Sequence, residues 1–247
     1  MMTYGVVTVT LNAAKTVQKT IDSVLSQTIK PSQYVFVDGG SEDGTLGVID
    51  AALARIAHPS VGISATLIRQ SSRGITSAWN LGIRQVQADL VFILNGDDWY
   101  ESDTAARIIR EFDQHPETEM LLADGRYVDP AGARPSKVCK PRPSWVLPVA
   151  MSIVHPACFV RRALYERIGL FDERYAIVAD YEFVYRCVKR GASIRTCDYV
   201  AVNVLEGGAA SRQRRLAREE MAAVGATYSM IPLLPEIARR VRCVLDR

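Results

Sequence analysis

The sequence lacks the features of a disulfide-rich or membrane-spanning protein. Its five cysteines are odd in number, scattered and without a C-x-x-C pair (Cys139, Cys158, Cys187, Cys197 and Cys243). This pattern argues against a disulfide scaffold or a zinc site and predicts reduced thiols. No apolar stretch approaches the roughly 20 residues that a membrane-spanning helix needs. The chain also begins directly with a strand-like run instead of a signal peptide, so we expect a cytoplasmic protein.

A strong charge and the common nucleotide fingerprints are absent as well. The net charge of +3 on 247 residues is too small to indicate a nucleic-acid partner. Neither G-x-G-x-x-G nor G-x-x-x-x-G-K-[ST] occurs, so an NAD-type site and a P-loop are not supported. A composition of 48% hydrophobic and 23% charged residues is typical of a globular protein. The length predicts one large domain, or one domain with a small extension.

Strand-like and helix-like segments alternate through the first half of the chain. The predicted strands are 4–10, 34–37, 62–68 and 90–94, and the predicted helices are 17–25, 45–56, 76–86 and 103–112, the last with Ser102 as its N-terminal cap. Such alternation favours a parallel sheet that is covered by helices on both faces. Right-handed crossovers then bring the carboxyl ends of these strands to one edge of the sheet.

The second half of the chain has a different pattern. Its predicted elements are short strands at 120–123, 157–160, 193–197 and 200–205, an antiparallel hairpin of 126–128 with 137–138, helices at 162–168 and 179–190, and a basic helix from 212 onward. The predicted fold class is therefore α/β, with a central, mostly parallel sheet, flanking helices and a small antiparallel portion.

The apolar run 90–94 is the most informative stretch, because it ends on Asn95, Gly96, Asp97 and Asp98. Five consecutive apolar residues predict a strand buried on both faces, and ligands bind beyond the carboxyl ends of such strands. Two adjacent carboxylates suit a hard divalent cation, Mn²⁺ or Mg²⁺, that is shared with phosphate groups. A solvated turn that caps the next helix is an equally typical use of an Asp-Asp pair.

Three further residues are candidates for chemistry. Asp38 follows the second strand and can accept hydrogen bonds from a base or a ribose, although an ordinary Asp-Gly turn is the alternative. Asp180 begins a predicted helix, where it serves either as a general base or as a partner of the helix dipole. His155, one of three histidines, precedes Pro156 and is either structural or catalytic.

Several short motifs occur together and in order along the chain. They are Thr8–Asn12, Ser23–Thr28, Val37–Thr45, Gly74–Ile83, Asn95–Asp98, Gly169–Glu173 and Ala179–Phe183. On these motifs the chain resembles the inverting family 2 glycosyltransferases of the GT-A fold, over roughly residues 4–212. The resemblance implies a nucleotide-sugar-binding half at 1–100, an acceptor and catalytic half at 101–212, and a basic helical extension at 213–247.

The resemblance also implies roles for individual residues. Asp38 and Asp97 would hold the nucleotide, and the pocket would be lined by Thr10, Asn12, Arg73 and Gly74. Asp98 would ligate a divalent metal, although Gly-Asp-Asp in place of Asp-x-Asp leaves open whether Asp97 or Asp98 binds it directly. Asp180 matches the catalytic base of the family, and His155 is expected near the diphosphate or the acceptor.

The resemblance implies a nucleotide-sugar donor and a saccharide or lipid-linked acceptor, as in bacterial polysaccharide or glycolipid assembly. UDP is the favoured nucleotide, with GDP and dTDP as alternatives. The basic, amphipathic segment 233–247 either lies on the inner face of a membrane or packs on the domain. Two other functions remain open: a sugar-1-phosphate nucleotidyltransferase and a non-catalytic nucleotide-sugar-binding module.

Overall fold

The computed structural model describes residues 2–71, 74–130, 135–148, 151, 153–208 and 213–229. The strands are β1 (Tyr4–Thr10), β2 (Gln33–Asp38), β3 (Ser64–Arg69), β4 (Leu90–Asn95), β5 (Trp99–Tyr100), β6 (Met120–Val128), β7 (Pro135–Cys139), β8 (Cys158–Arg161) and β9 (Ile194–Leu205). The α-helices are α1 (Val17–Leu25), α2 (Thr45–Ile56), α3 (Ile75–Gln85), α4 (Thr104–Gln114), α5 (Arg162–Ile168), α6 (Ala179–Lys189) and α7 (Arg214–Tyr228). Within these ranges no helix combines the length and apolarity needed to cross a membrane.

The strands form one mixed sheet with the order β3-β2-β1-β4-β8-β6-β9-β5, and β7 pairs with β6 beside this path. The four strands from β3 to β4 run parallel, as the alternation of strand and helix predicts. β8 pairs antiparallel with β4 and with β6, whereas β9 runs parallel to β6. The predicted α/β class and its antiparallel portion are therefore confirmed, including the hairpin of β6 with β7.

Apolar side chains are buried on both faces of the sheet, which explains why β4 reads as an unbroken apolar run. Val91 and Ile93 pack into one core together with α3 and α6, and Leu90, Phe92 and Leu94 pack into the other with α1, α2 and α4. All five side chains are at most 2% exposed. Burial on this scale contributes roughly 1.5–3 kcal/mol for each large apolar side chain.

The structure corrects three details of the predicted elements. The N-terminal cap position of α4 is Asp103 rather than Ser102, and it makes no side-chain cap bond, because its carboxylate binds Arg107 and Tyr199 instead. β9 is one continuous strand instead of two, since it pairs with β6 along its length across an irregular register near Asp124. The two-residue strand β5, which pairs with β9, was not predicted.

The last described helix, α7, packs on the domain. Val224 is fully buried, and Ala217, Met221 and Tyr228 pack against the same core as α6. The division of the chain at residue 212 stays a prediction, as does the role of 233–247, which lies outside the described residues.

One glycine sets the distance between helix α3 and strand β1. A Cβ at Gly82 would lie 2.2 Å from Val7 Cγ1, so we expect Gly82→Ala to lower the free energy of unfolding by about 2 kcal/mol through overpacking. Urea titration of the purified variant measures this change. Gly47→Ala in α2 is the matched control, because its Cβ would meet nothing within 4 Å. A Gly82→Ala variant as stable as the unsubstituted protein would contradict the close packing.

Candidate active site

The pairing of β1 with its neighbours gathers the candidate residues at one edge of the sheet. Thr10 is paired with Asp38 across β1 and β2, and Val9 is paired with Asn95 across β1 and β4. Strand β4 therefore ends one residue before the level of Asp38, and the turn that contains Asp97 and Asp98 follows directly. The prediction that the strand ends form one edge is confirmed by this register.

The carboxylate of Asp38 is buried and is occupied by its own loop. Its Oδ1 accepts hydrogen bonds from the hydroxyls of Thr10 at 2.9 Å and Ser41 at 2.6 Å, and its Oδ2 accepts from the amides of Gly40 at 3.0 Å and Ser41 at 2.8 Å. Burial acts to raise its pKa, but these bonds outweigh burial and hold the pKa below its usual value. Asp38 therefore fixes the turn after β2 as an ionised group.

Asn12 belongs to the same turn. It is the non-glycine residue with a positive φ, of 51°, among those described, and asparagine tolerates this conformation better than most residues do. Its amide donates to Ser41 Oγ at 2.9 Å, and its Oδ1 accepts from the Glu42 amide at 2.9 Å. Asn12 thus helps to fix loop 39–42 at this edge of the sheet.

The neighbouring loop is described in part. Gly74 precedes α3 with a φ of 146°, a conformation that favours glycine, and its carbonyl accepts from the amide of Ala78 at 3.1 Å. Arg73, predicted to line the nucleotide pocket, lies outside the described residues.

The Asp97-Asp98 turn is held against α1. The hydroxyls of Thr16 and Thr20 donate to the carbonyls of Gly96 at 2.8 Å and Asp98 at 2.7 Å. A Cβ at Gly96 would lie 2.8 Å from Thr10 Cγ2, so glycine allows this close approach. The backbone of the turn is consequently fixed by two threonine hydroxyls.

The two carboxylates of this turn differ in environment. Asp98 is 2% exposed, and its oxygens accept from Asn95 Nδ2 at 3.1 Å and from the Leu205 amide at 3.1 Å. Burial raises its pKa well above the usual range, and the charge of Asp97 raises it further. Asp97 is half-buried.

The acidic pair fits a divalent cation in charge and in donor type. A cation would offset the repulsion that raises the pKa of Asp98, and each Asp98 oxygen keeps a lone pair beyond its one hydrogen bond. Among the described residues no group of three or more His, Cys, Asp or Glu side chains could form a complete protein site. The pair therefore suits an ion whose remaining ligands are phosphate oxygens and water, as is common for Mg²⁺.

Asp180 lies in the first turn of α6 and is 7% exposed. Its Oδ1 accepts from the amide of Tyr181 at 2.8 Å. Burial raises its pKa to about 7, against the opposing effect of that hydrogen bond. A carboxylate with a pKa near neutrality is suited to accept a proton in a reaction and to release it afterwards.

His155 and Asp180 line the same small cavity, together with Cys158, Phe171 and Phe183. The His155 ring packs on Trp79 with the centroids 4.2 Å apart and on Phe171 at 5.5 Å. Burial lowers the pKa of His155 to about 3, so the ring is neutral at physiological pH. Its Nδ1 is buried without a hydrogen-bond partner among the described residues.

Two observations connect the strand edge with α6. Trp79, which packs on His155, also donates from Nε1 to Asn95 Oδ1 at 3.4 Å. Burial raises the pKa of the Tyr127 phenol on β6, and the charges of both Asp98 and Asp180 add to the increase. The structure therefore brings the acidic turn and Asp180 near the same tyrosine.

Asn80 supports the site, although it was predicted only as a member of a motif. Its Nδ2 donates to the Phe171 carbonyl and to Glu173 Oε1, both at 2.9 Å, and its Oδ1 accepts from the Phe171 amide at 3.0 Å. The side chain is 2% exposed. A polar residue on the buried face of an otherwise apolar helix is the signal that could have identified it.

A family model described as "Glycosyl transferase family 2" matches residues 5–169 of this chain. The chain belongs to glycosyl transferase family 2. The match confirms the resemblance stated above and identifies the protein as a glycosyltransferase, the first of the three functions that the sequence left open.

Curated relatives support this assignment. A PGL/p-HBAD biosynthesis glycosyltransferase of Mycobacterium tuberculosis is 29% identical over 200 residues, which are 81% of this chain and 75% of that protein. The chondroitin synthase of Escherichia coli is 29% identical over 121 residues, which are 49% of this chain and 17% of the synthase. The chain is thus similar to enzymes named for glycan synthesis.

Solved structures show the same fold at low sequence identity. S. aureus TarS 1-349 in complex with UDP-GlcNAc matches with a TM-score of 0.70 at 17% identity, over 96% of this chain and 70% of that chain. The mannosyltransferase PcManGT from Pyrobaculum calidifontis, in complex with GDP-Man and Mn²⁺, matches at 0.68 and 20% identity, over 99% and 70%. The predicted GT-A fold of this family 2 member is confirmed.

The raised pKa of Asp180 predicts that the stability of the protein decreases as the pH rises toward neutrality. The pKa is about 7 in the folded protein and ~3.9 in an unfolded chain, so the wild type loses stability as the pH rises between these values. We expect Asp180→Asn to raise the free energy of unfolding by roughly 1–4 kcal/mol at pH 8 and to leave it nearly unchanged below pH ~4.

Urea titrations at several pH values measure this difference. Asp113→Asn, at an exposed position of α4, is the matched control for which we expect no such trend. A gain for Asp180→Asn that is equal at all pH values would contradict the raised pKa.

Proposed function

We propose that this glycosyltransferase moves a sugar from a nucleoside diphosphate donor to an acceptor hydroxyl with inversion at the anomeric carbon. The single observation that carries the proposal is the buried Asp180 carboxylate, whose pKa is raised to about 7. The same domain also presents an acidic turn at the end of β4. A base of this strength and a site for diphosphate charge are the two elements that a direct displacement needs.

In the proposed reaction Asp180 accepts the proton of the acceptor hydroxyl. As the acceptor oxygen bonds to the anomeric carbon, the bond from that carbon to the phosphate oxygen breaks, and the nucleoside diphosphate leaves with the bonding electrons. One displacement gives one inversion. Burial of Asp180 among apolar side chains disfavours its ionised form, which makes the carboxylate a stronger base toward the acceptor hydroxyl once it is deprotonated.

The proposed donor site lies at the strand edge. Asp38 and Asp97 hold the nucleotide, with Thr10, Asn12, Arg73 and Gly74 at its border. The carboxylate of Asp38 already accepts four hydrogen bonds, so we infer that it acts mainly by fixing the conformation of loop 39–42 at the border of the nucleotide site.

Asp98 and Asp97 are the proposed ligands of a divalent metal, Mn²⁺ or Mg²⁺, which would neutralise charge on the departing diphosphate when bound. PcManGT, a structural neighbour, binds GDP-Man with Mn²⁺. TarS, another neighbour, binds UDP-GlcNAc. UDP remains the favoured nucleotide for this chain, with GDP and dTDP as alternatives.

The proposed acceptor is a saccharide or a lipid-linked glycan in bacterial polysaccharide or glycolipid assembly. Support comes from the relative named for PGL/p-HBAD biosynthesis. A location in the cytoplasm, with peripheral contact of 233–247 at the inner face of the membrane, stays part of the proposal. We propose that His155 lines the acceptor site as an uncharged ring, because it is buried against Trp79 and Phe171.

Titration calorimetry tests the donor site. We expect one of UDP, GDP and dTDP to bind the protein with Mn²⁺ and to bind at least about tenfold more weakly in EDTA. Asp98→Ala should remove this metal dependence, because the variant loses a carboxylate ligand. Asp22→Ala, at an exposed position of α1, is the control and should bind like the wild type. Equal binding with and without metal in the unsubstituted protein would contradict the metal site.

Turnover tests the base. We expect Asp180→Asn to keep the metal-dependent nucleotide affinity within about twofold and to lower kcat by at least about 100-fold, since an amide cannot accept the proton. Nucleoside diphosphate release from a panel of UDP-GlcNAc, UDP-glucose and GDP-mannose, with Mn²⁺ and water as the acceptor, measures kcat. Wild-type turnover by this variant would exclude Asp180 as the base.

A further inference from the structure

One side chain of helix α7, the carboxylate of Glu220, contacts the segment that leads into helix α6. Glu220 Oε1 accepts from the amide of Ala176 at 2.9 Å, and its Oε2 accepts from the amides of Ile177 at 2.9 Å and Val178 at 3.1 Å. Three consecutive backbone amides therefore share one side chain that lies more than 40 residues further along the chain.

These amides matter because they precede α6, the helix that carries Asp180 in its first turn. The first amides of a helix have no partner within the helix and usually bind a side-chain oxygen at the N-terminal cap position. Here that position is Val178, which has no polar side chain. Glu220 binds the amide of this cap residue and the amides of the two residues before it, and its negative charge also interacts favourably with the N-terminal end of the α6 dipole.

The contact is part of a firm junction between the two helices. Val224 of α7 is fully buried, and Tyr228 donates from its hydroxyl to Glu182 Oε1 at 2.6 Å. Glu182, two residues after Asp180, is paired with Arg186 at 2.9 Å. Because α7 is anchored at two further points, Glu220 is presented to the 176–178 amides by a fixed helix.

The other side of this segment is held by α3. Thr76 donates from its hydroxyl to the carbonyl of Tyr175 at 2.9 Å. The residues between Tyr175 and α6 are thus fixed at one end by α3 and along the rest by Glu220. Within the part of the chain that the structure describes, Glu220 is the side chain to which these three amides donate.

We propose that Glu220 is a positioning residue for the carboxylate of Asp180, a role that rests on the proposed function of Asp180 as the base. Glu220 does not touch substrate in this assignment. It fixes the backbone that sets the direction and the burial of Asp180, so its loss should affect the chemical step and leave the nucleotide site at the strand edge intact.

The kinetic test compares Glu220→Ala and Glu220→Gln with Glu219→Ala. Glu219 is the adjacent glutamate on α7, is exposed and pairs with Arg215 at 2.9 Å. With the donor and metal selected by calorimetry, we expect both Glu220 variants to lower kcat for donor hydrolysis at least about tenfold. The donor KM and the nucleotide affinity should stay within about twofold, and Glu219→Ala should behave like the wild type. A parallel loss of kcat and nucleotide affinity, or a wild-type kcat, would overturn the proposal.

A second test does not depend on turnover. At pH 8 we expect Asp180→Asn to raise Tm by several degrees in the wild type and by less than half as much in the Glu220→Gln background, because water then reaches the loosened carboxylate. Equal increases in both backgrounds would mean that Glu220 and Asp180 are independent, and would overturn the proposal. Glu220→Gln keeps one acceptor oxygen, so this arm remains available if Glu220→Ala does not fold.

The two tests separate this inference from the proposed function. Wild-type turnover by Asp180→Asn contradicts the proposed base whatever Glu220 does. Loss of turnover in Asp180→Asn together with wild-type kcat in both Glu220 variants leaves the base in place and overturns only the positioning role.

Discussion

The register of β1 with both of its neighbours is the constraint on which the rest of the site depends. Thr10 faces Asp38 on one side, and Val9 faces Asn95 on the other. A shift of one residue in either pairing would turn every side chain of that strand to the opposite face. Alternate residues of β4 are packed into two different cores, so such a shift would force each core to accommodate side chains of another shape. The stability of the central sheet therefore fixes the relative position of the loop after β2 and the turn after β4.

The buried aspartates of the site show two different uses of a carboxylate. Asp38 accepts four hydrogen bonds that hold its pKa low, so its burial is compensated and it stabilises the loop. Asp98 and Asp180 have fewer donors, and burial raises the pKa of each. An uncompensated carboxylate lowers the stability of the fold at neutral pH, a cost that is expected at the two positions for which we propose chemical roles.

Local patterns in the sequence predicted those elements whose formation depends on residues close together along the chain. The predicted bounds of α2 and α5 agree with the structure, because each helix is defined by its own apolar spacing. The location of the candidate site at one edge of the sheet was predicted from the alternation of strands and helices alone. The contacts of Asn80 with Phe171 and of Glu220 with the 176–178 amides join residues about 91 and 43 positions apart, so the local sequence does not identify these partners. Likewise β5 exists only because β9 is beside it.

His155 and Asp180 line the same cavity, and burial has opposite effects on their pKa values. Burial disfavours the charged form of each, which lowers the pKa of His155 to about 3 and raises that of Asp180 to about 7. In the proposed reaction near neutral pH, the carboxylate would therefore accept the proton of the acceptor hydroxyl more readily than the imidazole would. The ring, packed between Trp79 and Phe171, is left as a neutral, rigid surface. The apolar packing that makes His155 a poor base is thus the same packing that makes Asp180 a better one.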